Sequence, residues 1–250
     1  MKTYSATKTQ RHKFYYLVLA QKKIALSAFV PLCLITTFFL LPSCSFGKTS
    51  RILKENKCAD CHSLNPQKKI ANEHKKAPDL FYAGDKFQEK WLTKFLEEPE
   101  IIRPAGYITD PGYLKGNPEL KSHIRLTKED ALLVSQHLLT LKSGILEPVE
   151  IDNQVSNRGL GRGKRMFEGQ YGCIACHRAQ NLRGILKGGV SGPVLSNTGN
   201  RLRGSWVFNK LKNPALFEKK GRMPVYKIPD KEYLMLTAYL MTQLKENERK

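Results

Sequence analysis

Cysteine is rare in this chain, and four of its six copies fall into one five-residue pattern that occurs twice, as Cys58-Ala59-Asp60-Cys61-His62 and Cys173-Ile174-Ala175-Cys176-His177. A bare Cys-x-x-Cys serves zinc binding and thiol redox chemistry equally well, but a His directly after the second Cys narrows the pattern to c-type haem attachment. In that chemistry two thiols add to the two vinyl groups of one porphyrin, and the adjacent His reaches the iron. A zinc ribbon sets its Cys pairs about 15–20 residues apart, whereas Cys61 and Cys173 are 112 positions apart. A thioredoxin-type site needs a βαβ setting, and the segments flanking both motifs show helical periodicity and Gly/Pro loops without strand alternation. The expectation is two haem c groups, attached through Cys58, Cys61, Cys173 and Cys176, with His62 and His177 as iron ligands.

The chain is also an internal duplication. An offset of 115 positions aligns His62 with His177, Pro78 with Pro193, Leu80 with Leu195, Gly84 with Gly199, Trp91 with Trp206 and Pro99 with Pro214. Beyond Pro99 the offset falls to 102, matching Leu126-Thr127-Lys128-Glu129 to Ile228-Pro229-Asp230-Lys231, so the first half carries 13 additional residues. The insertion falls within residues 103–118, whose Gly, Pro, Asp and Tyr composition reads as a loop. Each half ends in a helix by pattern, with Val134, Leu138 and Leu141 in one and Leu236, Leu240 and Leu244 in the other; Thr127 is the expected N-cap of the first. Residues 143–163 hold Gly, Pro and Asn with no sustained apolar period, as a linker does.

Both halves resemble class I cytochrome c domains over residues 50–246: a helix ending at CxxCH, a Pro-x-Leu loop, a middle helix opening near Trp91 or Trp206, and a C-terminal helix. The resemblance implies an all-α fold, two tandem cytochrome c-like helical domains after an N-terminal signal or anchor segment. The expected boundaries are 1–44 for the signal or anchor, 48–146 for the first domain, 147–158 for the linker and 159–250 for the second domain. Trp91 and Trp206 are expected to pack rather than relay electrons.

In the second half the match extends to Arg222-Met223-Pro224, where this family places its distal ligand, and Met223 is expected to bind the second iron. Met166, Met235 and Met241 fall in helical segments and read as core fillers. The first half has no Met between Cys58 and Gly144, and Lys121 stands where Met223 stands in the second. His123, two residues on, is the first choice as distal ligand of haem 1, with Lys121 the alternative. His137 reads as a packed core residue and His74 as solvent-exposed. A thioether ligand raises a haem potential relative to a nitrogen ligand, so electrons should run from haem 1 to haem 2.

The first 23 residues hold six Lys or Arg and no acid, and residues 24–41 carry no charge at all, the order of an export signal. Leu41-Pro42-Ser43-Cys44 resembles a bacterial lipoprotein signal, which implies a lipid on Cys44; an uncleaved 18-residue apolar anchor and a cleaved, soluble form are the other outcomes. The expected location is the periplasmic side of the inner membrane. With the six leader cations set aside, 36 basic residues face 22 acidic ones. An exported chain has no nucleic acid to meet, so this charge suits anionic lipid or the acidic face of a redox partner. Two clusters could serve such docking: Lys68, Lys69, Lys75 and Lys76 in one half, and Arg201, Arg203, Lys219, Lys220 and Arg222 in the other. The function implied is electron transfer between respiratory redox partners, as an isolated carrier or a subunit of a larger complex, with no catalytic residue of its own. The alternative is a dihaem oxidoreductase, peroxidase-like or acting on a small inorganic substrate, with haem 1 as its reactive centre.

Overall fold

The structure is a computed structural model that describes residues 43–71, 74–115, 122–151, 155–181, 183–218 and 221–245, and of 43–46 the backbone alone. The chain divides into residues 1–40 and a compact unit of residues 41–250. The leader and the apolar segment 24–41 lie outside the described residues, as does Lys121, and nothing is described of the Cys44 side chain. Among the described residues no helix is long and apolar enough to cross a membrane.

The described fold is mostly helical, as the all-α expectation had it. The helices repeat along the chain. In the first half they are α1 (Ser43–Glu55), α2 (Ala83–Lys86), α3 (Glu89–Glu97) and α4 (Lys128–Thr140); in the second, α5 (Asn157–Arg165), α6 (Thr198–Arg201), α7 (Gly204–Lys212) and α8 (Asp230–Met241). The offset of 115 carries α2 onto α6 and α3 onto α7, and the offset of 102 carries the start of α4 onto that of α8.

Local chemistry explains where these elements begin. Thr127 accepts a hydrogen bond from the Asp130 amide at 3.2 Å, the expected N-cap, and Glu129 and Asp130 complement the helix dipole. Ser156 caps α5 through the Gly159 amide. With glycines at 159, 161 and 163, α5 has poor intrinsic propensity, so packing must hold it. Gly163 is the contact point: a Cβ there would fall 2.5 Å from the Met235 carbonyl oxygen and 2.8 Å from Tyr239 Cβ on α8. The corresponding position in α1 is Lys48, which instead pairs with Glu129 at 2.5 Å and approaches Asp130 at 3.8 Å on α4.

Each half closes on its last helix in the same way. The Gly84 amide donates to the Leu141 carbonyl at 2.8 Å and the Gly199 amide to the Gln243 carbonyl at 3.0 Å. Leu80, Ala83, Trp91, Leu92, Leu96, Val134 and Leu138 belong to a core that continues through Met166, Phe167, Trp206, Val207, Leu236 and Leu240. Trp91 stacks between Phe87 and Phe95, and Trp206 lies against Tyr82 and Phe217, so both indoles pack.

The two halves meet along a reciprocal seam. Phe87 bridges Leu202, its own repeat partner; the Gln88 amide donates to Arg201 and the Arg203 amide to Lys86, both at 2.9 Å. Such an exchange, in which i meets j and j meets i, is the pattern of a two-fold interface, here within one chain. Among the described residues only the second half carries a short hairpin, Ala179–Gln180 with Leu186–Lys187, which the sequence pattern did not announce.

Candidate functional site

Both CxxCH motifs fold into the same turn. A 3₁₀ turn spans Cys58–Asp60 and another Cys173–Ala175, and the His62 and His177 amides each close onto the first Cys carbonyl at 3.0 Å. The residue before each turn is left-handed, Lys57 at φ 51° and Gly172 at φ 60°. Glycine takes that conformation freely, whereas at Lys57 the surrounding turn imposes it.

The histidines are held identically. His62 Nδ1 lies 2.7 Å from the Pro78 carbonyl oxygen and His177 Nδ1 2.8 Å from that of Pro193. A carbonyl only accepts, so Nδ1 carries the proton and Nε2 keeps its lone pair. Burial pushes the His62 imidazole down to about 4, and it lowers that of His177 as well; both rings are neutral near pH 7. A neutral ring with an oriented, unprotonated Nε2 is what a metal requires of histidine. Behind His177 the backbone closes in: a Cβ on Gly192 would sit 2.6 Å from Cε1 of the ring.

None of Cys58, Cys61, Cys173 and Cys176 is in a disulfide; Cys61 and Cys176 are exposed and the other two half-buried. Burial raises the Cys58 and Cys173 thiols, opposite to the depressed thiol of a disulfide oxidoreductase. Among the described residues no group of three or more His, Cys, Asp and Glu side chains gathers as a cage for an ion.

The structure brings His123 to His62. Their ring centres are 6.1 Å apart, and His123 Nδ1 lies 2.9 Å from the Ile124 carbonyl oxygen, to which the ring donates. A metal–imidazole bond is about 2 Å long, so two imidazoles on opposite sides of one metal have their centres about 6 Å apart. Phe95 supports the His123 ring at 5.1 Å. In the second half Met223 is half-buried on the irregular segment before α8. That segment is fastened over the motif by Tyr226, whose hydroxyl donates to the Tyr171 carbonyl at 2.7 Å. His74 is exposed and His137 half-buried.

Between the halves lies a feature the sequence pattern did not single out. Lys86 lies over Trp206 at 5.4 Å and Arg201 over Trp91 at 5.9 Å, so repeat-related cations rest on repeat-related indoles across the seam. Lys86 is held well below its ordinary value by burial and by Arg103, Arg201 and Lys210, with Glu218 opposing. Arg201 is 3 % exposed and its Nε has no hydrogen-bond partner among the described residues. The Arg201 guanidinium is thus a buried cation with a donor to spare, and it fits a ligand that carries carboxylates, as haem does. The donor set fits as well: paired thiols, an oriented imidazole and, in the first half, a second imidazole whose centre is 6.1 Å away.

Two members of the expected docking clusters are not solvent-facing charges. Lys75 is buried in an ion pair with Asp79 at 2.9 Å, and Arg201 lies in the seam. Both sit where a hydrogen bond or an aromatic face offsets their desolvation, leaving Lys68, Lys69, Lys76, Arg203 and Arg222 exposed. Lys219 and Lys220 fall outside the described residues. No family model, curated protein or solved structure matches this chain.

Proposed function

We propose that this chain is an exported dihaem c-type cytochrome of two tandem cytochrome c-like domains, carrying electrons between redox proteins on the periplasmic side of the inner membrane. The observation that supports it best is the double occurrence of one ligand-ready geometry: a CxxCH turn whose His donates Nδ1 to a Pro carbonyl sixteen residues on and keeps Nε2 free for a metal. Haem, when bound, supplies a reversible one-electron centre. Cys58 and Cys61 tether one group and Cys173 and Cys176 the other; His62 and His177 are the proximal ligands.

The first site takes a second imidazole from His123, which the 6.1 Å ring separation supports, and the second site takes the Met223 thioether. Nitrogen against sulfur ligation makes the second site the more oxidising, so electrons pass from the first half to the second. The 1–44 segment exports and anchors the chain, through a lipid on Cys44 or through its apolar stretch. The exposed cations steer an acidic partner, and that association weakens with salt.

The test is low-temperature EPR of the oxidised protein, with carbon monoxide added to the reduced form. Two low-spin haems and no carbon monoxide adduct are expected. His123→Ala should open the first site to carbon monoxide and Met223→Ala the second, each leaving covalent haem intact. Carbon monoxide binding at the first site of the unaltered protein would displace this reading in favour of an oxidoreductase whose reactive centre is haem 1.

A further inference from the structure

Where it is described, the region in which the first half exceeds the second is not an idle loop. The chain leaving α3 runs through residues 102–113 and makes hydrogen bonds to the loop beside each proximal histidine. Toward the second site, the Ile102 carbonyl accepts from the Val194 amide at 2.8 Å, and the Tyr113 hydroxyl donates to the Ser191 carbonyl at 3.0 Å. These bonds bracket Pro193, whose carbonyl orients His177, and they flank Gly192, which lies against the His177 ring. Toward the first site, the Thr109 hydroxyl donates to the Lys75 carbonyl at 2.5 Å. Lys75 itself pairs with Asp79, so the two residues enclose Pro78, whose carbonyl orients His62.

The segment is firmly seated. Ala105 and Tyr107 are each 7 % exposed, and the Tyr107 amide donates to the Asp110 carboxylate. Arg103 lies over the Tyr107 ring at 4.5 Å and approaches Glu218 at 3.9 Å, while Arg222, beside Met223, lies over Tyr113 at 5.7 Å. Groups that orient a metal-binding histidine from outside tune the metal through the direction and basicity of the ring.

We propose that this one strap positions both proximal histidines, with Thr109 as the positioning residue for His62 and Tyr113 for His177, so that the first half sets the electronic environment of both sites. The inference rests on the haem reading above. Its test is Tyr113→Phe and Thr109→Val in the full-length haem-loaded protein, read by the hyperfine-shifted proton NMR signals of each proximal ring and by the two midpoint potentials. Tyr113→Phe, which removes one hydroxyl and keeps the ring under Arg222, should move the signals and potential of the second site and leave the first unchanged. Thr109→Val should do the reverse. Unmoved signals at both sites in both variants, even with lowered thermal stability, would make the strap a structural brace and overturn the proposal. Absence of covalent haem from the unaltered protein overturns the haem reading itself, a different failure.

Discussion

Gly192 and its repeat partner Ala77 show how much one Cβ decides. At Ala77 the backbone leaves room for a methyl group beside the His62 loop; at Gly192 the added atom would meet Cε1 of His177 at 2.6 Å and Nδ1 at 2.7 Å. Gly192→Ala must therefore push the ring off its hydrogen bond to Pro193. We expect a loss of about 1–3 kcal/mol, the range for overpacking in a close-packed interior, and, on the proposed haem reading, a shifted second-site spectrum. Urea titration and visible spectroscopy of the variant check both, and a native spectrum at native stability would contradict the packing described. That two Cys and a His share one turn at each motif was legible from the sequence alone, because they are neighbours along the chain. His123 was legible only as a choice against Lys121; its standing at 6.1 Å from His62 came from the path of the segment entering α4.

At the scale of elements, one helix crossing is built twice by different means. In the second half α5 and α8 touch through Gly163, where a new side chain would meet the Met235 carbonyl oxygen of α8. In the first half Lys48 stands at the crossing, and its ion pairs with Glu129 and Asp130 run between the helices. Gly163→Ala should cost about 1–3 kcal/mol by forcing the helices apart, even though it raises the helix propensity of α5 by about 1 kcal/mol. A denaturation midpoint that rises instead would mean that propensity outweighs the crossing. The helices that end each half were readable from apolar spacing and, in the first half, from the Thr127 cap. Helix α5 was harder, since three glycines in nine residues argue against a helix until the partner surface is known. The Ala179–Gln180 hairpin strand was not readable at all: two-residue strands carry no alternation.

For the whole molecule the seam between the halves governs the response to pH. Burial pushes Lys210 down to about 8, with Glu218 opposing and Arg103 and Lys75 adding to the fall. Its ordinary value is 10.5, so between about pH 8 and 10.5 the unfolded chain binds more protons than the folded one, and stability rises with pH. Tyr82 and Tyr107 act in the opposite sense, because burial raises their phenols and stability then falls with pH above their ordinary value of 10.0. The polypeptide alone should thus gain about 2 kcal/mol between pH 8 and 10, as measured by urea unfolding at a series of pH values. A flat profile would mean that the seam does not hold uncompensated positive charge.

The amino-acid sequence by itself carried the duplication, both CxxCH motifs, the cap at Thr127 and the insertion, because each depends on residue types at fixed separations along the chain. It could not carry the seam. The bridge from Phe87 to Leu202 and the placing of Lys86 on Trp206 and Arg201 on Trp91 depend on which surfaces of the two halves meet. A lysine in a basic run looks the same in sequence whether it faces water or an indole. The apolar contacts that bring the halves together carry no directional preference of their own, so only the assembled backbone fixes where each charge is left.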